Sequence, residues 1–216
     1  MIIGLIGYKG SGKDTFAHIL MLQLKYDRHK MEVEDVVFFD TLKNLTSNHD
    51  RIGQWENHKW AGKVKEIAGI LLGMPDFAER WENDQAFRDQ QLPPEWNIDG
   101  KPMTYREFLQ KLGTEGIRKA VHQNAWVNSL MAEYKDKDRW IISDTRFPNE
   151  VDAIKDKGGI LVRITRKGME SPSDPHESEA YISDLDADLE VYNATLVGLR
   201  AQAIKLIELL EFCNQQ

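Results

Sequence analysis

The sequence predicts an α/β fold, a parallel sheet with helices on both faces, from three observations. A glycine-rich loop, Gly7 to Thr15, lies between a short apolar run and an amphipathic stretch. The second half alternates strand-length apolar runs with helical ones, and parallel strands need helical crossovers of this kind. The 216 residues suit one domain with inserted lobes and are ample for a hydrophobic core.

Taken in order, Ile2 to Ile6 is a short buried strand, and Asp14 to Leu24 a helix with Phe16, Ile19, Leu20 and Leu24 on one face. Val33 to Phe39 predicts a second strand, and residues 40–58 an irregular polar stretch. Trp60 to Leu72 is helical and is stopped by Gly73 and Pro75. Residues 76–102 hold Pro93, Pro94, Asp99, Gly100 and Pro102 and form an excursion. Thr104 caps the next helix, with Glu107 at the capping-box spacing. Gly113 interrupts that helix, which resumes to about Tyr134. Trp140 to Ser143 and Ile160 to Thr165 are strands on either side of a helix from Asn149 to Lys157. Residues 167–187, rich in Gly, Ser, Pro and acids, predict a mobile loop or lid. Leu189 to Tyr192 is the last strand. Thr195 to Phe212 is the last helix, with Leu196, Leu199, Ala203, Leu206 and Leu210 facing inward.

Composition narrows the function. A formal net charge of -7 disfavours polymeric nucleic acid as a partner, because that calls for a basic surface. It leaves room for a small anion held by a few local cations. Cys213 is the only cysteine, so no intramolecular disulfide can form, and a reducing cytoplasm is the expected compartment. The apolar start, Met1 to Gly7, is too short to cross a membrane and lacks the basic leader of a signal peptide.

The loop Gly7-Tyr8-Lys9-Gly10-Ser11-Gly12-Lys13-Asp14-Thr15 carries the sharpest chemistry. Its glycines let backbone N–H groups converge on phosphate oxygens, and the following helix adds the positive end of its dipole. Lys13 is placed to bridge the β- and γ-phosphates of a nucleotide. Many such loops carry Ser or Thr directly after the lysine. Here Asp14 stands there and Thr15 comes one residue later, a Gly-Lys-x-Thr run shared with nucleotide kinases of the adenylate kinase type.

A second acidic point is Asp144, at the C-terminal end of the apolar run from Trp140. In open parallel sheets that edge is where ligands bind. Asp144 is expected to hold magnesium through water or to bind the acceptor, with Arg146 at the mouth of the same crevice. The plainer reading is a helix cap paired with Arg146. Phosphoryl transfer also needs cations around the transferring group. Lys63, Lys65, Arg106, Arg118, Arg163, Arg166 and Lys167 gather near the two excursions. Arg163 and Arg166 cannot point the same way on a strand, and Arg166, at the lid hinge, is the expected clamp. His176, beside Glu177 and Glu179, is read as ordering its loop rather than as a zinc ligand or triad member. Trp126 fits an inward pattern with Val121, Ala125 and Leu130, and by position can also line an acceptor pocket.

These residues together resemble the bacteriophage deoxynucleoside monophosphate kinases. The resemblance rests on the loop at 7–15, on Ala61 to Ala68, on Tyr105 to Gln110 with Leu112 to Glu115, and on Ala125-Trp126-Val127. Ser143 to Glu150 and His176 to Glu179 extend it, and Asn193 to Leu199 is similar to a C-terminal motif also found in dephospho-coenzyme A kinases. Only about 25–58 and 76–102 lie outside it. The resemblance implies a P-loop kinase fold with a five-stranded parallel sheet, a helical acceptor-binding insertion at about 58–135 and a lid at about 167–187. It implies ATP and Mg2+, and a deoxynucleoside monophosphate as acceptor. Gly10, Ser11, Gly12, Lys13, Asp14, Thr15 and Asn193 are the implied ATP-side positions. Lys9, Lys65, Arg106, Arg118, Trp126, Asp144, Thr145, Arg146, Glu150, His176 and Glu179 are the expected acceptor-side positions. Lys13, Asp144 and Arg166 are expected to serve the transfer itself. The compartment would be the host cytoplasm for a phage-encoded chain.

Two other readings compete. A dephospho-coenzyme A kinase would use the same core, but the helical insertion and the run Asp144 to Glu150 favour a nucleotide acceptor. A regulatory GTP-binding switch needs a guanine-reading Asn-Lys-x-Asp, which the sequence lacks. Which base is accepted and whether the chain forms a homodimer are left open.

Overall fold

The computed structural model describes residues 1–28, 33–44, 51–169 and 180–213. Its first elements are β1 (Ile2–Ile6), α1 (Lys13–Arg28), α2 (Asp35–Asn44), β2 (Arg51–Ile52), β3 (Trp55–His58), α3 (Trp60–Leu72), α4 (Phe77–Asn83) and α5 (Gln85–Arg88). There follow α6 (Tyr105–Gln110), a π-helical stretch (Lys111–Lys119), α7 (Ala125–Met131), β4 (Arg139–Thr145), α8 (Pro148–Asp156), β5 (Ile160–Thr165), β6 (Leu189–Tyr192) and α9 (Leu196–Cys213). They form two compact units, Met1–Lys59 with Lys135–Gln216, and Trp60–Tyr134.

The first unit is built on a six-stranded sheet in the order β2-β3-β4-β1-β5-β6. Five strands are parallel, and β2 joins the edge antiparallel to β3. The expected count of five holds for the parallel strands, and β2 is the addition. All five residues of β1 are buried, as a central parallel strand requires. Ile3 and Leu5 of β1, with Ile141 of β4, Val162 and Ile164 of β5 and Val191 of β6, join one core with Phe16, Ile19 and Leu20 of α1 and Leu199, Ala203 and Ile207 of α9. The opposite face takes α8. There a side chain at Gly4 would run into Ile154 and Leu161, so glycine lets the helix approach.

Several sequence expectations are corrected. Residues 33–39 do not form a strand, because Asp35–Asn44 is helical, with Phe38 buried and Val36 and Val37 exposed. Arg200 of α9 anchors this segment. Its guanidinium donates to Asp35 Oδ1 (2.7 Å), the Val33 carbonyl (2.7 Å) and Gln23 Oε1 (3.1 Å), and lies 4.1 Å from the centre of the Phe38 ring. The stretch 40–58 is not irregular throughout, since β3 pairs with β4 inside the sheet. Leu196 does not face inward and is 46% exposed. Within the expected lid, residues 170–179 lie outside the described ones. Ile182 and Leu185 are buried, and their carbonyls accept hydrogen bonds from Arg163.

In the second unit, Ala68 of α3 packs with Phe77, Phe87, Leu92, Met103 and Phe108. Thr104 caps α6 as expected: its hydroxyl accepts from the Glu107 N–H (3.2 Å), and the Glu107 carboxylate accepts from the Thr104 N–H (2.8 Å). Gly113 does not interrupt the helix. The chain continues through it as a π-helix and turns away only before α7.

Candidate active site

The parallel topology gathers the chemistry at one sheet edge. The C-terminal ends of β3, β4, β1, β5 and β6 lead into Lys59, Arg146, the loop from Gly7, Arg166 and Asn193 respectively. This is the ligand edge of an open parallel sheet.

The loop from β1 to α1 is preshaped. Gly10 and Gly12 hold φ of 84° and 97°, a region that side chains with a Cβ rarely adopt. Ser11 N–H donates to the Tyr8 carbonyl (3.1 Å), closing the turn. Lys13 is 7% exposed, and its ammonium donates to the carbonyls of Gly7 (2.5 Å) and Tyr8 (2.9 Å). A lysine folded back across the mouth of the loop stands where phosphate oxygens would be met. The Ser11 hydroxyl is buried and has no hydrogen-bond partner among the described residues. A buried donor without a partner is rare, and a phosphate oxygen would supply one. Asn193 braces the loop from outside: its Nδ2 donates to the Ser11 carbonyl (2.8 Å), while its own N–H is held by the Thr165 carbonyl (2.7 Å).

Asp14 opens α1 with its carboxylate held by the sheet. Its Oδ1 accepts from the Ser143 hydroxyl (2.9 Å) and pairs with Lys59 Nζ (3.2 Å). Partial burial pushes this carboxyl up, but Lys59, the Ser143 hydrogen bond and Lys13 outweigh it and hold the group below the ordinary carboxylate range. Thr15 beside it is exposed. Lys59 has no signature in the sequence, because the polar strand β3 that ends just before it does not read as one. Ser143 was visible only as part of a motif.

At the end of β4, Thr145 is buried and Asp144 and Arg146 are half-buried. Glu150, expected on the acceptor side, is 2% exposed, and its carboxylate accepts from the Arg146 N–H (2.8 Å) and Phe147 N–H (3.1 Å). It starts α8 and fixes the Arg146 backbone. Arg166 and Lys9 are exposed at their loops. Arg163 is spent on the carbonyls of Ile182 and Leu185, so of the two arginines only Arg166 lies open.

The second unit holds the other expected acceptor residues. Lys65 is buried and ion-paired with Glu82. Arg106 Nε pairs with Asp89 (2.8 Å), and its guanidinium lies 6.0 Å from the Trp81 ring centre. Arg118 is half-buried on the π-helix. Trp126 is a core residue at 4% exposure, and its indole N–H donates to the Gly113 carbonyl (2.8 Å). Lys63 pairs with Glu133 (2.6 Å) and Glu66 (3.1 Å); the hydrogen bond to Glu133 is the main cause that raises its ammonium above the usual range. His176 and Glu179 lie outside the described residues.

Among the described residues no group of three or more His, Cys, Asp or Glu side chains could hold a metal ion by itself. Magnesium seldom needs one, because it keeps waters and binds one or two carboxylates together with phosphates. The half-buried Asp144 carboxylate near the C-terminal end of β4 is of the chemistry that mode uses. No helix of the described residues is long and apolar enough to cross a membrane.

The chain is similar to several known proteins. A protein of Acanthamoeba polyphaga mimivirus is 28% identical over 223 residues, covering 96% of each chain. The deoxynucleoside-5'-monophosphate kinase of Escherichia phage T5 is 28% identical over 194 residues, 76% of this chain and 77% of that one. The deoxynucleotide monophosphate kinase of Enterobacteria phage T4 is 33% identical over 93 residues, 41% of this chain and 38% of that one. Residues 81–201 match the family described as deoxynucleotide monophosphate kinase. With more than half its length in that match, the chain belongs to the deoxynucleotide monophosphate kinase family.

Proposed function

We propose that this chain transfers the γ-phosphoryl group of ATP to the 5'-phosphate of a deoxynucleoside monophosphate, giving the diphosphate and ADP. The observation that carries the reading is the Lys13 ammonium, buried and held by the Gly7 and Tyr8 carbonyls inside a glycine loop at the ligand edge of the sheet. In this reading the backbone N–H groups of Gly10 to Thr15 cradle the ATP phosphates, and Asn193 keeps the cradle in shape. Lys13 exchanges its carbonyl partners for phosphate oxygens, and Arg166 neutralises charge on the transferring group. Asp144 would hold Mg2+ through water, and the ion supplies charge neutralisation at the phosphates when bound. Lys9, Lys65, Arg106, Arg118, Asp144, Thr145 and Arg146 serve the acceptor, with Trp126 and Glu150 as its supports and His176 and Glu179 completing the set. Trp60–Tyr134 is the acceptor insertion of a single P-loop kinase domain.

No side chain is assigned as an essential general base. A phosphate monoester has a second pKa of about 6 and is already ionised at neutral pH. The enzyme therefore has to position two anions that repel each other, which accounts for the cations at the site. Lys13→Ala tests the reading. The variant should stay folded and lose about 100-fold or more in transfer. Asp144→Asn should change the Mg2+ dependence or the acceptor KM. Near-normal turnover of the lysine variant would end the cradle assignment, and an unaltered aspartate variant would reduce Asp144 to a helix cap.

A further inference from the structure

Asp14 poses an electrostatic problem. It puts a negative charge directly after Lys13, in a loop that otherwise offers the phosphates neutral or positive groups. An unbalanced carboxylate there would oppose a polyanion and cancel the lysine. The structure holds an answer in Lys59. Its side chain is 21% exposed, and its ammonium lies 3.2 Å from Asp14 Oδ1. The Ser143 hydroxyl donates to the same oxygen. The two partners arrive from neighbouring strands: Lys59 directly follows β3, Ser143 lies in β4, and the register His58 to Ile142 fixes their heights. The pair is therefore set by sheet geometry rather than by a chance meeting of surface chains; Lys59 is mostly covered, while the Asp14 side chain is 60% exposed.

We propose that Lys59 is a positioning residue of the nucleotide cradle, whose task is to balance the charge of Asp14 so that the loop accepts the ATP phosphates. This rests on the ATP reading of the loop but not on the identity of the acceptor. Lys59 acts through Asp14, so its effect must vanish when Asp14 loses its charge.

The test is a double-mutant cycle read by calorimetric binding of ATP, without acceptor, in EDTA and then in Mg2+. Lys59→Met should weaken Mg2+-free ATP binding about tenfold in the native background. In the Asp14→Asn background the same change should cost less than about twofold. Lys59→Arg, which keeps the charge, should bind like the native chain. Melting curves of all variants check the fold, and Lys59→Gln replaces the methionine variant if that one does not fold. Equal losses in both backgrounds would overturn the proposal, because Lys59 would then act independently of Asp14. Unchanged binding by Lys59→Met would overturn it as well. Failure of the native chain to bind ATP in either condition would sink the cradle reading along with it, whereas native binding with uncoupled variants would sink only the role of Lys59.

Discussion

Replacing Gly12 by alanine tests whether the cradle is held open by backbone geometry and by Asn193. Gly12 sits at φ 97°, and a Cβ there would run into the Asn193 Nδ2 that donates to the Ser11 carbonyl at 2.8 Å. The left-handed backbone costs roughly 1–2 kcal/mol for a residue with a side chain. Displacing Asn193 forfeits one hydrogen bond, about 1 kcal/mol. The sum is roughly 2–3 kcal/mol, or about 4–12 °C in melting temperature for a chain of this size. Gly10→Ala is the internal control. It shares the positive φ, 84°, but its Cβ would meet only the Met169 sulfur at 3.3 Å, the far part of a flexible side chain. It should cost the backbone term alone, about 1–2 kcal/mol. ATP affinity should fall about tenfold or more in the Gly12 variant, since tenfold corresponds to about 1.4 kcal/mol. Thermal melts and calorimetric titration of ATP read both quantities. Equal melting temperatures for the two variants would refute the brace, and native ATP affinity in Gly12→Ala would refute the cradle geometry.

Two further outcomes concern stability. Arg200→Met should lower it by about 2–4 kcal/mol in urea unfolding, because Asp35, Gln23 and the Val33 carbonyl lose a shared buried partner, and kcat should stay native; a native midpoint would show that α2 is not anchored there. Asp14 has a depressed carboxyl, so its contribution is present above the unfolded value near 3.8 and is lost as pH falls through the lower folded value. The stability difference between the native chain and Asp14→Asn should therefore be constant from about pH 5 to 8 and shrink below about pH 4; a change between pH 5 and 8 would contradict the ionised, Lys59-paired state.

The parts legible in the sequence are those whose local signal and tertiary role agree. β1, β5 and β6 are short apolar or β-branched runs, and the structure keeps them as strands over Ile2–Ile6, Ile160–Thr165 and Leu189–Tyr192. The run Val36-Val37-Phe38-Phe39 looked like a strand because it is apolar and partly β-branched. The structure makes it helical, and the first residue of that helix, Asp35, is paired with Arg200, more than 160 positions away. β3 was invisible for the opposite reason. Trp-Glu-Asn-His is too polar and short to read as an inner strand, yet Trp55 and Asn57 are buried while Glu56 and His58 stay half-exposed. Missing β3 hid Lys59. On the site itself, the loop was readable because glycine at fixed offsets has a mechanical meaning. Arg163 and Glu150 were not, because what they bind, the carbonyls of Ile182 and Leu185 and the N–H groups of Arg146 and Phe147, has no signature in the sequence.

Transfer of a phosphoryl group from ATP to a deoxynucleoside monophosphate leaves a direct spectroscopic trace. Phosphorus NMR of the native chain with ATP, Mg2+ and each deoxynucleoside monophosphate in turn, and with dephospho-coenzyme A as the competing acceptor, reads it directly. A β-phosphate resonance of a deoxynucleoside diphosphate should grow one for one with ADP for at least one base, with no product from dephospho-coenzyme A. ADP formed with inorganic phosphate whatever the acceptor, or phosphorylation of dephospho-coenzyme A alone, would contradict it.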